Sequence, residues 1–417
     1  MAAFVSTEAF DSLLFIFILL AFAELVGSLA QRYRFPPLVA EVLVGVVLSS
    51  FAIGGIVDGL LHSTLFNVTP YVLLFADFSV ILVIFAAGVE GGFASLRSAG
   101  WQGIASALGG GLLSFALATV AVAHFYSLQT ALLVGVAVGP TSTAVVAYLI
   151  RSGEVAGGAG GQFLLAVSAI DDVAGLILLS VVLTSIGGSF NPIAVTGGIV
   201  FAVVAWVVIL LASVFVVPRL FRLPGFRQSR EMPFLVLFVL VAIVAALGFS
   251  VVVGAFIAGL ALAETLRNSG ARQLSDALLA LFGPLFFVVI GVQFDVGLLL
   301  NPRLLLLAGL LTSIAILGKL LGILPFAYAR FRSLRAALPV AVGAMPRGEI
   351  GLIVGSIGVS LGLFGSALFG AIVLMALITT FVGGYLFPYL VGQGSPLAAS
   401  REVPEPAAPE PSAESES

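Results

Sequence analysis

Apolar residues run along this chain in blocks of about 20, separated by short polar stretches, and the blocks recur from end to end. Twenty helical residues rise about 30 Å, the depth of a bilayer's hydrocarbon core. Thirteen spans are predicted, at roughly 12–31, 36–52, 71–90, 101–123, 128–150, 160–186, 193–217, 232–248, 250–266, 276–294, 303–328, 336–361 and 366–392. The pattern therefore predicts an all-α polytopic membrane protein, with residues 1–392 as its transmembrane unit. Beyond it, "GSPLAASREVPEPAAPEPSAESES" is rich in Pro, Ala, Ser and Glu. Such a segment cannot bury a core, and 393–417 is predicted to be a disordered tail.

The basic residues check the span count. With alternating spans, fourteen arginines fall on the side opposite the N-terminus: 32, 34, 97, 151, 219, 222, 227, 230, 267, 272, 330, 332, 335 and 401. Arg303 alone falls on the N-terminal side, while Lys319 and Arg347 lie inside spans. A miscounted span would scramble this partition. The positive-inside rule then puts the N-terminus outside and the C-terminus in the cytoplasm.

Composition agrees. Hydrophobic residues make up 61% and charged residues 9% of the 417, too little charge to cover a soluble surface. The 48 glycines suit closely approaching membrane helices. The net charge of −3 says little, because the tail holds five of the 20 acids. Zero cysteines exclude disulfides, iron–sulfur centres and thiol catalysis. The two histidines, His62 and His124, fall in predicted loops far apart, which argues against a histidine-based metal site. The first apolar run lacks a basic leader and a cleavage site, so it is read as a mature helix.

Thirteen spans permit two six-helix halves around one linking helix, with opposite orientations. "FAAGVEGGFASL" (85–96) in span 3 and "VVIGVQFDVGLL" (288–299) in span 10 echo each other weakly. Span 5 carries "GVAVGPTSTAVV" and span 12 carries "AVGAMPRGEIGLI", each with Pro and Gly near mid-membrane and polar residues directly after. One proline alone reads as a structural kink. A pair at equivalent positions reads as the broken helices of a secondary transporter, with its ion site near the midplane.

Charges inside a span cost about 2.5–3.5 kcal/mol each on insertion scales and default to functional hypotheses. The candidates are Glu24, Glu41, Asp77, Asp171, Asp172, Lys319, Arg347 and Glu349. Asp171 and Asp172 are neighbours in "FLLAVSAIDDVAGLILLS". Adjacent helical residues diverge by about 100°, so one can face a neighbouring helix and the other a cavity. A carboxylate so placed binds a proton or a hard monovalent cation, but not both at full strength, and that competition is itself an exchange mechanism. The alternative is a buried structural ion pair. Lys319, the only lysine, cannot snorkel from mid-span, and its inferred partner is Asp171, as a static pair or as a titrating one. Arg347 and Glu349 do not face each other on a regular helix. Glu41 is offered as the partner of Arg347, and the three are read as a structural charge network around the span 12 break. Glu24 and Asp77 lie nearer span ends and read as structural or interfacial. The hydroxyls of Thr141, Ser142 and Thr143 either satisfy freed backbone groups or ligate a dehydrated cation.

At these residues the chain resembles the monovalent cation:proton antiporter-2 family, particularly its electrogenic bacterial and archaeal sodium/proton antiporters, over residues 12–392. The resemblance is carried in family order by "FPPLVAEVLVGVVL", "VILVIFAAGVE", "GPTSTAVVAYLIRSGE", "AIDDVAGLILLS", "FGPLFFVVIGVQFD", the Lys in "LGKLLG" and "MPRGEIGLIVGSIG". It implies thirteen helices with interleaved dimerisation and core subdomains, spans 5 and 12 crossing at the ion site. It implies Asp172 as the principal cation and proton ligand, Asp171 paired with Lys319, and Thr141 and Ser142 lining the site. It further implies a homodimer in the cell membrane whose core slides like an elevator. Potassium-type relatives tend to carry a nucleotide-binding domain after the last helix and to replace the first Asp, often by Gln. The short tail here has no GxGxxG-bearing unit, and both Asp and the Lys are kept. That points to sodium (or lithium) and electrogenic exchange, with a potassium/proton antiporter as the alternative.

The expected function is sodium/proton exchange serving pH homeostasis. The partners are lipid and a second copy, with no nucleic acid and no cofactor beyond the transported ions. A channel would show flux without proton coupling. An intramembrane aspartyl protease needs two Asp on facing helices, which neighbours on one helix cannot supply.

Overall fold

The computed structural model describes residues 7–33, 35–152, 158–186, 192–222, 231–247, 250–263 and 271–391. The tail expected at 393–417 lies outside the described residues, as do Arg34, Arg227, Arg230, Arg267 and Arg401. In chain order the helices are α1 (Thr7–Arg32), α2 (Pro37–Leu48), α3 (Ile53–Leu61), α4 (Pro70–Ser98), α5 (Gly100–Ala123), α6 (Leu128–Val138), α7 (Thr143–Ser152) and α8 (Ala159–Ile186). They continue as α9 (Pro192–Leu220), α10 (Met232–Ala246), α11 (Val251–Ala263), α12 (Ala271–Val292), α13 (Pro302–Phe331), α14 (Leu334–Gly343), α15 (Glu349–Ser360) and α16 (Ser366–Val391). Among the described residues there is no strand.

Local chemistry sets the helix starts. Pro37, Pro70 and Pro302 open α2, α4 and α13, where a missing N–H costs nothing. Thr69, Ser127 and Asn301 each accept a backbone N–H of the first turn, from Val72, Thr130 and Arg303. Eight apolar stretches of the described residues are long enough to cross a bilayer singly, with mean hydropathy from 1.8 to 2.6. The chain is a multi-pass membrane protein. Its outward faces are apolar too, as at Phe10 and Phe17 on α1, Phe215 on α9 and Leu321 on α13, which suits lipid contact.

One reading changes. Residues 53–61, expected as loop, form helix α3, which ends on His62 in the left-handed region (φ 50). Asp58 in α3 is buried and accepts from Ser63 Oγ (2.6 Å), Leu65 N (2.9 Å) and Phe66 N (3.0 Å). That carboxylate is spent on fixing the following turn. The interruptions expected in spans 5 and 12 are present as the gaps between α6 and α7 and between α14 and α15.

Helices α1, α2, α4, α10, α11 and α12 pack mainly on one another, α5–α8 and α13–α16 form a second group, and α9 lies against both α8 and α11. Within the first group, two crossings bring backbone onto backbone. A Cβ added at Gly45 of α2 lands 2.9 Å from Gly291 Cα of α12, and one at Gly291 lands 2.9 Å from Gly45 Cα. On α4 and α11, a Cβ at Gly88 lands 3.1 Å from Gly259 Cα, and one at Gly259 lands 2.8 Å from Gly88 Cα. No larger residue fits without parting the helices. Gly45→Val or Gly291→Val is therefore expected to cost about 1–3 kcal/mol or more. Gly309→Ala, with nothing within 4 Å of the new methyl, is expected to melt like the wild type in detergent.

Candidate functional site

Pro140 and Pro346 each stop a helix in the middle of the second group, because proline lacks an N–H and clashes with the preceding turn. Residues 139–142 and 344–348 are left without a regular ladder. Buried backbone groups must still be paired, and here the two breaks pair each other. Ser142 N donates to Pro346 O (2.9 Å) and Thr141 Oγ1 donates to Ala344 O (2.9 Å). Small residues admit the proline rings: a Cβ at Gly175 of α8 would run into Pro140, and one at Gly383 of α16 into Pro346.

Arg347, fully buried, closes the crossing. Its Nε donates to Val138 O at the end of α6 (2.6 Å), and Nη1 to Ala344 O (3.2 Å) and Met345 O (3.0 Å). Its Nη2 reaches Ala315 O (2.9 Å) on α13 and Ser114 Oγ (3.4 Å) on α5. A cation at the carbonyl ends of α6 and α14 is favoured by both helix dipoles. The expected Arg347–Glu41 pair does not form, because carbonyls and one hydroxyl take the guanidinium's donors. Glu41 instead sits on α2 against α1, its carboxylate beside Gly27. The charge network read around the span 12 break thus loses Glu41. Glu24 and Asp77 lie on exposed faces of α1 and α4.

α8 brings two carboxylates to this crossing, on different sides. Asp171 Oδ2 accepts Thr141 N (2.7 Å) and forms a buried ion pair with Lys319 of α13. Its Oδ1 lies against Gly111 of α5 and is buried with no hydrogen-bond partner. Asp172 is 2% exposed; its Oδ2 accepts from Thr143 Oγ1 (2.5 Å), which also meets Ser168 Oγ (2.5 Å). Asp172 Oδ1 is buried with no hydrogen-bond partner. On the other wall Glu349, first residue of α15, accepts from Ser142 Oγ (2.6 Å).

The three consecutive hydroxyls thus divide their work. Thr141 serves Asp171 through its backbone N–H and the second break through its hydroxyl, while the hydroxyls of Ser142 and Thr143 serve Glu349 and Asp172. Sequence reasoning named Thr143 together with Thr141 and Ser142, and left Ser168 out. Ser168 had a signal, four residues before Asp172 and so on the same helical face. Thr143 shared its motif with Thr141 and Ser142, and only the turn after Pro140 decides which hydroxyl meets a carboxylate and which a carbonyl. Buried oxygens from a carboxylate and hydroxyls, one of them unpartnered, are the donor set for a hard cation or a proton.

Comparison with known proteins gives the family and the fold. The model of the family described as "Sodium/hydrogen exchanger, transmembrane" matches residues 16–392. The high-affinity Na+/H+ antiporter NhaS3 of Synechocystis sp. is 28% identical over 429 residues, covering 93% of this chain and 91% of that protein. The Na+/H+-K+ antiporter GerN of Bacillus cereus is 27% identical over 381 residues, covering 90% of this chain and 95% of that protein. The solved sodium proton antiporter MjNhaP1 of Methanocaldococcus jannaschii shares the fold, with a TM-score of 0.69 at 17% identity over 94% of this chain and 99% of that one. With a matching family model over most of its length and a helical membrane fold, the chain belongs to the transmembrane sodium/hydrogen exchanger family, a family of transporters.

Proposed function

We propose that this chain exchanges sodium (or lithium) for protons across the cell membrane, electrogenically and by alternating access, with Asp172 as the shared cation and proton site. The observation that carries this reading is Asp172 itself, a buried carboxylate between two helix breaks that has no basic partner among the described residues where Asp171 has Lys319. One of its oxygens is held by Thr143 and the other, like Asp171 Oδ1, is unpartnered. A proton or a dehydrated cation satisfies that oxygen, and each excludes the other. Asp171 is balanced by Lys319 and so is free of that task in the resting arrangement. Sodium binding that also displaces the Asp171–Lys319 interaction releases the lysine proton, and two protons then exchange per sodium.

The architecture proposed with it is thirteen spans in two inverted six-span halves, N-terminus outside, working as a homodimer whose core moves against a fixed scaffold. Matched contacts support the repeat. Thr141 N donates to Asp171 of α8 as Arg347 N donates to Thr379 of α16 (3.1 Å). Thr141 Oγ1 reaches Ala344 O as Arg347 Nε reaches Val138 O. Pro140 packs on Gly175 as Pro346 packs on Gly383, and the Gly45–Gly291 crossing repeats as Gly259–Gly88.

A potassium/proton exchanger is the second reading, favoured by the name of GerN, which includes potassium. Proteoliposomes loaded with a pH dye separate the two. Sodium and lithium are expected to dequench the dye at concentrations where potassium does not, and an imposed membrane potential to change the rate. Potassium acting as well as sodium would favour the second reading, and voltage-independent exchange would remove electrogenicity.

A further inference from the structure

Two threonines of α16 grip the second break by its backbone. Thr379 Oγ1 accepts Arg347 N (3.1 Å) and Thr380 Oγ1 donates to Arg347 O (2.8 Å), and both side chains are fully buried. Arg347 N belongs to the same peptide as Pro346 O, and Pro346 O accepts Ser142 N of the first break (2.9 Å). That peptide is trans, hence planar, with its N–H and its C=O on opposite edges. It is therefore a rigid bridge, held by α16 on one edge and holding the first break on the other. Ser142 is followed directly by Thr143, whose hydroxyl meets Asp172. The grip of Thr379 thus reaches the neighbour of Thr143 through one planar group and the hydrogen bonds at its two edges.

α8 holds the first break from the corresponding place. Pro140 packs on Gly175, four residues after Asp171, and Pro346 packs on Gly383, four residues after Thr379. In that shared register Asp171 corresponds to Thr379 and Asp172 to Thr380. Asp171 takes the N–H of Thr141, the residue after Pro140, as Thr379 takes that of Arg347, the residue after Pro346. The chemistry differs. α8 holds its break with a carboxylate that Lys319 balances, whereas α16 uses hydroxyls, which carry no charge and keep their bonds whatever occupies Asp172. The Thr379 hydroxyl also donates to Met375 O on its own helix (2.9 Å), which leaves a lone pair for Arg347 N.

We propose that Thr379 and Thr380 are positioning residues for exchange, an uncharged clasp that fixes the second break and, through the 346–347 peptide, sets where Ser142 and Thr143 stand. Of the two breaks, only the first is then held by a group whose charge can change, and the second is the fixed post it works against. This rests on the reading of Asp172 as the cation site. A clasp that only stabilised the fold would alter melting, whereas a positioning clasp also alters sodium affinity.

The test measures, on the full chain, the sodium concentration that half-saturates exchange in proteoliposomes and the one that half-saturates thermal stabilisation in detergent. Thr379→Val keeps the shape of the side chain but leaves Arg347 N without its acceptor. It is expected to raise both sodium midpoints about fivefold, the order of one lost hydrogen bond. Thr379→Ser keeps the hydroxyl and is expected to stay within about twofold of the wild type. Wild-type midpoints in a folded Thr379→Val overturn the proposal, whatever its melting temperature. A shift in Thr379→Ser as large as that in Thr379→Val also overturns it, because the methyl's packing and not the hydroxyl is then responsible. If Thr379→Val does not fold, Thr380→Val decides: a raised midpoint supports the clasp and a wild-type midpoint overturns it. Exchange that survives Asp172→Asn sinks the parent reading instead, and the Thr379 midpoints remain interpretable beside it.

Discussion

Asp172→Asn is expected to lower sodium-driven proton release by about a hundredfold or more, equivalent to roughly 3 kcal/mol of lost ion stabilisation. The substitution nearly preserves shape. Asparagine still accepts from Thr143 through its carbonyl, so the bond to α7 and the packing of α8 survive. What disappears is the negative charge, and with it the group that takes up a proton or a cation. The protein should still assemble and melt near the wild-type temperature. The measurement is sodium-dependent dequenching of a pH dye in proteoliposomes. If sodium collapses the gradient in the variant as it does in the wild type, Asp172 is not the exchange site.

Lys319→Gln is expected to have the largest effect on stability. Lys319 is fully buried and its ammonium meets Asp171, so removing it strands a carboxylate inside the bundle. Breaking a buried pair in this way costs about 3–5 kcal/mol. Thr141 N still donates to Asp171, which softens the loss without replacing the counter-charge. The double variant Asp171→Asn with Lys319→Gln removes both charges and should recover most of the stability, since neutral replacement of a buried pair is often tolerated. A double variant as unstable as the single one would mean that packing of the lysine stem, and not the charge, is what matters. The same pair tests coupling. If the lysine releases the second proton, exchange in Lys319→Gln should no longer respond to an imposed potential. Voltage dependence equal to the wild type's would show that the lysine is not a proton carrier.

Much of the site was legible because charge in an apolar span is rare enough to read one residue at a time. "AIDDVAG", the only lysine and the two Pro–Gly interruptions each stood out against uncharged surroundings. Pairing Asp171 with Lys319 followed from there being few alternatives. Arg347 had the same visibility but a different fate. Its partners are mostly carbonyl oxygens freed by the breaks, and every residue carries a carbonyl, so nothing in the side-chain alphabet pointed to them. Glu41 looked like a partner only because it was a charge without one. The helix at 53–61 was missed because its length is too short for a span, and Asp58 secures it through bonds to the turn that follows.

The sequence by itself determined the class of solvent, the helical content, the positions of the two breaks and the short list of charged residues that have to be explained. These follow from local composition: an apolar run needs helical backbone in lipid, and proline ends a helix wherever it sits. Folding decided the assignments. Which of three adjacent hydroxyls meets a carboxylate and which a carbonyl depends on how the chain turns after Pro140. Whether an arginine finds an acid or a ring of carbonyls depends on the helix ends that come to lie beside it. Glu349 came to meet Ser142 in the same way, carried there by the crossing of two broken helices that lie far apart in the chain.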